Sequence, residues 1–196
     1  MKTFDLFVVE IHKRTNDTIK TNSGLELYLD TRFDDFKHRT TEAPVVAVPF
    51  KYDTGVQPGD TLYFHHLVVM NEGQVLTGED NHFLVRYDPE HAINNQAIAF
   101  KSKETGEVTP LKGWSLLEYV EEESDVKSDV IEVVELEEKL PKMGKVAFHS
   151  DELDEYGLKV GDVVGFKENR DYRITIDEKE YYRTRLEDLL YVCEEI

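Results

Sequence analysis

Seven histidines, one cysteine and several paired acids are the residues of this 196-residue chain whose types could do chemistry. His65 and His66 are adjacent. In a strand, adjacent side chains face opposite ways, so the two cannot readily share one metal ion. His82 and His91 lack a matching carboxylate pattern. Solvated or structural histidine is the simpler reading for all of them. The pairs Asp34-Asp35, Glu79-Asp80 and Asp151-Glu152 have the right groups for acid–base work. A solvated acidic face explains them better in a chain with 41 acids. The lone Cys193 excludes an internal disulfide framework and a Cys-based zinc cluster. It reads as a buried thiol in the closing strand. No Gly-x-Gly-x-x-Gly turn, P-loop or Gly-x-Ser-x-Gly elbow occurs. The expectation is a chain with no catalytic residue, no metal site and no cofactor of its own.

The elements that would position these residues are short and β-rich. Runs at 6–11, 44–50, 61–70, 82–87, 97–100, 130–136, 145–148, 163–166, 172–176 and 180–185 carry β-branched or aromatic residues, with Gly, Pro, Asn and Asp between them. Helical periodicity is scarce. The stretches 116–120 and 186–192 each have room for a helical turn leading into a strand. The pattern predicts an all-β fold of small barrels or sandwiches, not a parallel βαβ sheet. About 40% apolar and 11% aromatic residues suffice for a core.

The charge is 23 − 41 = −18, with −6 on residues 1–120 and −12 on residues 121–196. Such a field repels phosphate backbones and anionic lipid, so no nucleic-acid or membrane partner is expected. Tyr172, Tyr181 and Tyr182 have faces that stack bases, but the neighbouring acids argue against a single-strand groove. Trp114 reads as a packing anchor. No apolar run approaches a membrane span. Met1-Lys2-Thr3-Phe4-Asp5 runs straight into Leu6-Phe7-Val8-Val9, unlike a signal peptide. A cytoplasmic chain is expected.

An internal repeat organises the chain. Val56-Gln57-Pro58-Gly59-Asp60-Thr61-Leu62-Tyr63-Phe64 aligns with Leu158-Lys159-Val160-Gly161-Asp162-Val163-Val164-Gly165-Phe166, a shift of 102 positions. Upstream, Val46-Ala47-Val48 matches Val146-Ala147-Phe148. Asp5-Leu6-Phe7-Val8-Val9 matches Asp129-Val130-Ile131-Glu132-Val133, and Leu116-Leu117 before Tyr119-Val120 echoes Leu189-Leu190-Tyr191-Val192. Gly-Asp before an apolar alternation is a turn that launches a strand: Gly permits a positive φ and Asp bonds nearby backbone. The polar run 121–129 reads as a boundary. The segment 15–43 is long for a connection, and such loops are usually functional or disordered.

These blocks, in this order, resemble the GroES-type co-chaperonins. Gly144-Lys145-Val146-Ala147-Phe148 is similar to an inner strand of that family, 158–166 to its "V-x-V-G-D-x-V-x-F", and Glu187-Asp188-Leu189-Leu190-Tyr191-Val192 to its closing strand. The resemblance implies two tandem GroES-like small β-barrels: residues 1–122 with a mobile loop, an acidic linker at 123–129, and residues 130–196. A roof hairpin would be reduced or absent, since the residues before each Gly-Asp block are few. The insertions at 65–81 and 105–113 have no family counterpart.

Thr21-Asn22-Ser23-Gly24-Leu25-Glu26-Leu27-Tyr28-Leu29 is similar to the family's hydrophobic docking loop, which implies Gly24, Leu25, Glu26, Leu27 and Leu29 as partner-binding residues. Glu26 stands where the family has an apolar residue. Period two puts Leu25, Leu27 and Leu29 on one side, suited to an apolar groove. The alternative is that 25–29 is another barrel strand. The second repeat, with its short connection at 135–144, would lack such a loop.

The implied function is a cap for a GroEL-type chaperonin ring, with ATP bound by the partner and none by this chain. The resemblance also implies self-association into a ring of roughly seven chains. Leu6, Val8, Leu189, Leu190 and Val192 are the candidate contacts. With two barrels per chain, either the second barrels form another tier or both share one ring of fewer chains. The alternative function is a GroES-like β-barrel binding or viral accessory module without chaperonin contact. An enzyme on the same barrel, as in zinc alcohol dehydrogenases, lacks its Gly-rich turn and Cys ligands here.

Overall fold

Side chains of Glu42–Ala47 alternate between solvent and interior along the chain. That is the period-two signature of a strand with one buried face. The same physics builds most of the chain. The computed structural model describes residues 2–21, 23–31, 35–70, 75, 76, 78, 81–91, 94–120, 142–170 and 172–193. It divides into two units, Met1–Lys112 and Gly113–Ile196. Both are antiparallel β-sheet, as the sequence predicts. Among the described residues, no helix is long and apolar enough to cross a membrane.

The first unit contains β1 (Leu6–Glu10), β2 (Thr18–Lys20), β3 (Glu26–Tyr28), a single turn of helix α1 (Asp35–His38), β4 (Glu42–Ala47), β5 (Thr61–Phe64), β6 (His82–Arg86), β7 (Ala97–Lys101) and β8 (Val108–Pro110). Six strands form one sheet in the order β6-β1-β4-β5-β7-β8, and β2 pairs only with β3. β1 lies between β6 and β4, which buries Phe7, Val8 and Val9 completely.

The second unit contains β9 (Trp114–Tyr119), β10 (Lys142–Val146), helix α2 (Asp151–Glu155), β11 (Val163–Phe166), β12 (Arg173–Ile176), β13 (Lys179–Arg185) and β14 (Leu189–Val192). Its sheet order is β12-β13-β9-β10-β11-β14. Leu117, Val146, Leu153, Leu158, Val164 and Phe166 form its core, with Tyr182, Leu186 and Leu189 packed against them. The Ser150 hydroxyl caps α2 by accepting from the Leu153 N–H at 3.4 Å.

The Gly-Asp blocks fold alike. The Asp60 carboxylate accepts from Gln57 N at 2.8 Å, and the Asp162 carboxylate accepts from Lys159 N at 2.8 Å. Gly59 N donates to Val45 O, and Gly161 N to Val146 O. The two glycines have φ of 97° and 101°, where only glycine is unstrained. Each block opens a strand that breaks register at the same place, between Tyr63 and Phe64 and between Gly165 and Phe166. Beyond the break, His65 N donates to Gln96 O as Lys167 N donates to Asp188 O, both at 3.0 Å. The strand order β6-β1-β4-β5-β7 therefore recurs as β13-β9-β10-β11-β14.

This correspondence corrects the outer blocks of the repeat. The counterpart of β1 is β9, which pairs with β10 and β13 as β1 pairs with β4 and β6. The stretch 116–120, read as a possible helical turn, is thus mostly strand. It belongs to the second unit, because its hydrogen-bonding partners are there. The expected domain end at 122 accordingly moves to Lys112. The acidic 123–129 is no interdomain linker: it lies between β9 and β10, inside the second unit. The strand expected at 130–136 lies outside the described residues. The second repeat also does not lack a long connection. Twenty-two residues, 120–141, separate β9 from β10, at the position that carries β2 and β3 in the first unit.

The closing stretch behaves as expected: Leu186–Asp188 makes a 3-10 turn that leads into β14. The connections from β4 to β5 and from β10 to β11 contain no strand, and the latter holds α2.

Candidate functional site

Residues 11–41 leave β1 and return to β4 as a hairpin. Its stem is held by backbone. Asn16 N donates to His38 O at 2.6 Å, Thr40 N to Arg14 O at 3.0 Å, and the Thr40 hydroxyl to Lys13 O at 2.6 Å. Arg14 lies over the Phe83 ring at 5.0 Å, anchoring the stem to β6. An isolated two-stranded hairpin is marginal in water, so this anchoring matters. Lys13 pairs with Asp17, and its hydrogen bond holds the Asp17 carboxyl below the usual carboxylate range.

Above the stem, β2 and β3 pair Thr18 with Tyr28 and Lys20 with Glu26. Leu29 N donates to Asp17 O at 2.7 Å. The tip reverses at 21–25. Gly24 N donates to Thr21 O and Thr21 N to Leu25 O, both at 2.8 Å. Gly24 takes φ of 82°, the left-handed position such short hairpin loops require. The Thr21 hydroxyl accepts from Leu25 N at 3.1 Å, which closes the turn locally.

Leu25 is 60% exposed, Leu27 47% and Tyr28 82%. Glu26 is exposed beside them, while Leu29 is half-buried at the stem. The expected docking residues therefore sit together, with Leu29 the least accessible. The segment is strand, but in its own two-stranded sheet rather than in the six-stranded one. Tyr28 escaped sequence reasoning, because alternation placed it off the Leu25–Leu27 side. In a two-stranded ribbon both faces can meet solvent, so alternation hides nothing. Residues 11–41 carry six bases and five acids, net +1, in a chain of net −18.

The expected oligomer contacts divide between the units. Val8 is fully buried and Leu6 half-buried on β1, an interior strand. Val8 is thereby corrected: it has neither surface nor a free edge for another chain. β14 is the edge of its sheet, with Leu190, Tyr191 and Val192 about half-exposed and Leu189 half-buried. Tyr191 lies across Gly165, where a Cβ would come within 2.3 Å of its ring. Beside β14, Tyr156, Leu158, Val164, Leu186, Leu189 and the exposed strand residues line an apolar groove of about 310 Å³. Cys193 is half-buried, its thiol 3.8 Å from the Met143 sulfur.

The other chemical candidates separate. His65 and His66 stack at 4.3 Å, and His65 Nδ1 accepts from Leu67 N to cap a 3-10 turn. Glu152 accepts from Gly113 N at 2.5 Å. Asp34, Glu79 and Asp80 lie outside the described residues. One reading is corrected: His91 does have carboxylate neighbours, Asp88 and Glu90, the three ligand atoms lying within 4.8 Å. Glu90 and His91 are exposed and Asp88 is half-buried, in a turn where Asp88 accepts from His91 N at 3.1 Å. The charges of Asp88 and Glu90 are also felt by Lys51.

A scan against models of known protein families finds no match, and a search of curated proteins finds none either.

Proposed function

We propose that the chain is a co-chaperonin-type cap that docks on a GroEL-type chaperonin ring through the β2–β3 hairpin and helps enclose a folding client. The observation that carries this reading is the exposed Leu25-Glu26-Leu27-Tyr28 tip of the β2–β3 hairpin. Burying one leucine fully gains about 1.5–3 kcal/mol. A single tip thus binds weakly, and several tips on one ring gain from multivalency. The near-neutral charge of 11–41 supports the same reading, since the remaining acidity would not have to enter the contact. In this reading the chain acts in the cytoplasm, has no catalytic site or cofactor, and leaves ATP chemistry to the partner.

Co-sedimentation with a GroEL-type chaperonin and ATP tests it. Wild type should pellet with the ring, and Leu25→Asp/Leu27→Asp should not. Absence of wild-type binding, or equal binding by the variant, contradicts the reading.

A second reading has its own support. β1 is interior, so it offers no free edge for pairing with another chain. A binding module that keeps the hairpin without a chaperonin ring fits that placement. Light scattering separates the two, because the cap requires an assembled ring, with β14 as its free edge.

A further inference from the structure

We propose that the β2–β3 hairpin of one chain docks on β14 of a second copy, with Leu25 and Leu27 seated in the apolar groove beside that strand. This contact does not rest on chaperonin docking, although it uses the same tip. Both of its halves are built into one chain. Leu25 and Leu27 are 60% and 47% exposed on one side of the segment 25–28, and Glu26 and Tyr28 point the other way. On β14, Leu190 and Val192 are 51% and 48% exposed. With Leu158, Val164 and Leu186 they border the groove of about 310 Å³. That volume is at the low end for ligand pockets, so it suits a few side chains rather than a whole element.

The backbones match as well. Among the described residues, β3 pairs only with β2 and β14 only with β11, so each has one open edge. Leu29 N donates to Asp17 O, so alternation turns the backbone groups of Tyr28 and Glu26 to the open edge of β3. Cys193 N donates to Val163 O, and in the same way the backbone groups of Val192 turn outward from β14. An extended segment that adds to a sheet edge binds through such groups and places alternate side chains in pockets. Here β3 supplies the segment and β14 the edge, and the groove takes Leu25 and Leu27. Glu26, on the opposite face, keeps its charge at the rim.

Charge selects the hairpin as the occupant. Contact between two copies brings acidic surfaces together. Residues 113–196 carry 11 bases and 24 acids, net −13, and Glu155 and Glu187 are exposed next to groove-lining residues. Residues 11–41 are net +1, while the rest of the chain carries 17 bases and 36 acids, net −19. The hairpin is thus an apolar edge that approaches the groove without like-charge repulsion. Two β14 edges brought together would instead face two units of net −13. Tip and groove are different patches, so the contact is heterologous and builds rings or open chains of more than two copies.

Sedimentation velocity of the full chain, with no chaperonin present, tests this contact. Wild type should associate beyond a dimer as concentration rises, with a Kd on the order of 10 μM. Leu25→Asp/Leu27→Asp removes the tip, and Leu190→Lys/Val192→Lys removes the groove. Each variant alone should stay monomeric, its affinity reduced by about tenfold or more. Mixed, the two should form a one-to-one heterodimer and nothing larger, because one intact tip meets one intact groove. That heterodimer also shows both variants to be folded. Monomeric wild type, self-association of the tip variant through β14 alone, or a mixture that stays monomeric overturns the proposal. These outcomes are independent of chaperonin binding, which co-sedimentation reads separately.

Discussion

His149 shows how single residues in this chain are tuned by immediate neighbours. Its Nε2 lies 2.9 Å from the Asp154 carboxylate at the far end of α2, and that hydrogen bond raises its pKa above the ordinary histidine value. The folded value is the higher one. Its stabilisation is therefore complete below the unfolded value and is lost as pH rises through the folded value. Both groups are exposed, so the effect on stability is small. NMR titration of His149 should give a midpoint above that of a free histidine, and Asp154→Asn should return it to the ordinary range. A midpoint that stays raised in the variant would rule out the Asp154 carboxylate as the cause. At this scale the sequence was informative about what the tip offers and silent about what the sheet buries. Leu25 and Leu27 stood out through the resemblance of 21–29 to a docking loop, with alternation placing them on one side. Trp114 read as a packing anchor, and nothing at sequence level placed it opposite Arg185, because β9–β13 pairing is long-range.

At the scale of elements, the repeated Gly-Asp turn is the most transferable feature, and its two copies are not equal. Asp60 is buried and also accepts from Lys103 N at 2.9 Å, a bond for which Asp162 has no described counterpart. Asp60→Ala should therefore cost about 2–3 kcal/mol and Asp162→Ala about 1 kcal/mol. Urea unfolding checks this, with Trp114 fluorescence following the second unit and far-UV circular dichroism both. Equal costs would mean that the Lys103 bond contributes nothing. The turn was readable because Gly and Asp act locally, through φ and through a carboxylate three residues from its donor. The first block of the repeat was misplaced for the opposite reason. Asp129-Val130-Ile131-Glu132-Val133 has the apolar pattern of Asp5-Leu6-Phe7-Val8-Val9, but a pattern does not choose a partner strand. Pairing with β10 and β13 selects β9 instead, and this moves the unit boundary and turns the supposed linker into the β9–β10 connection. The segment 15–43 was recognisable as unusual from its length alone.

For the whole molecule, a ring of the proposed kind requires a contact between chains. β14 presents an uncharged edge at Leu190, Tyr191 and Val192, and unprotected edges of this kind invite pairing with another chain. Leu190→Lys/Val192→Lys should lower the assembled mass seen by light scattering without changing the circular dichroism spectrum. A mass that stays the same would rule β14 out as the contact. The acidity also has a place at this scale. Segment 121–141 carries nine acids and two bases, net −7, while 11–41, at the matching position in the first unit, is net +1. The two connections are thus opposite in character, and the proposal assigns docking to the apolar-tipped, near-neutral one. The most direct test is co-sedimentation of the full chain with a GroEL-type chaperonin in the presence of ATP. The account predicts that wild type pellets with the ring and that Leu25→Asp/Leu27→Asp stays in the supernatant. Failure of wild type to bind, or equal pelleting of the two proteins, would contradict it.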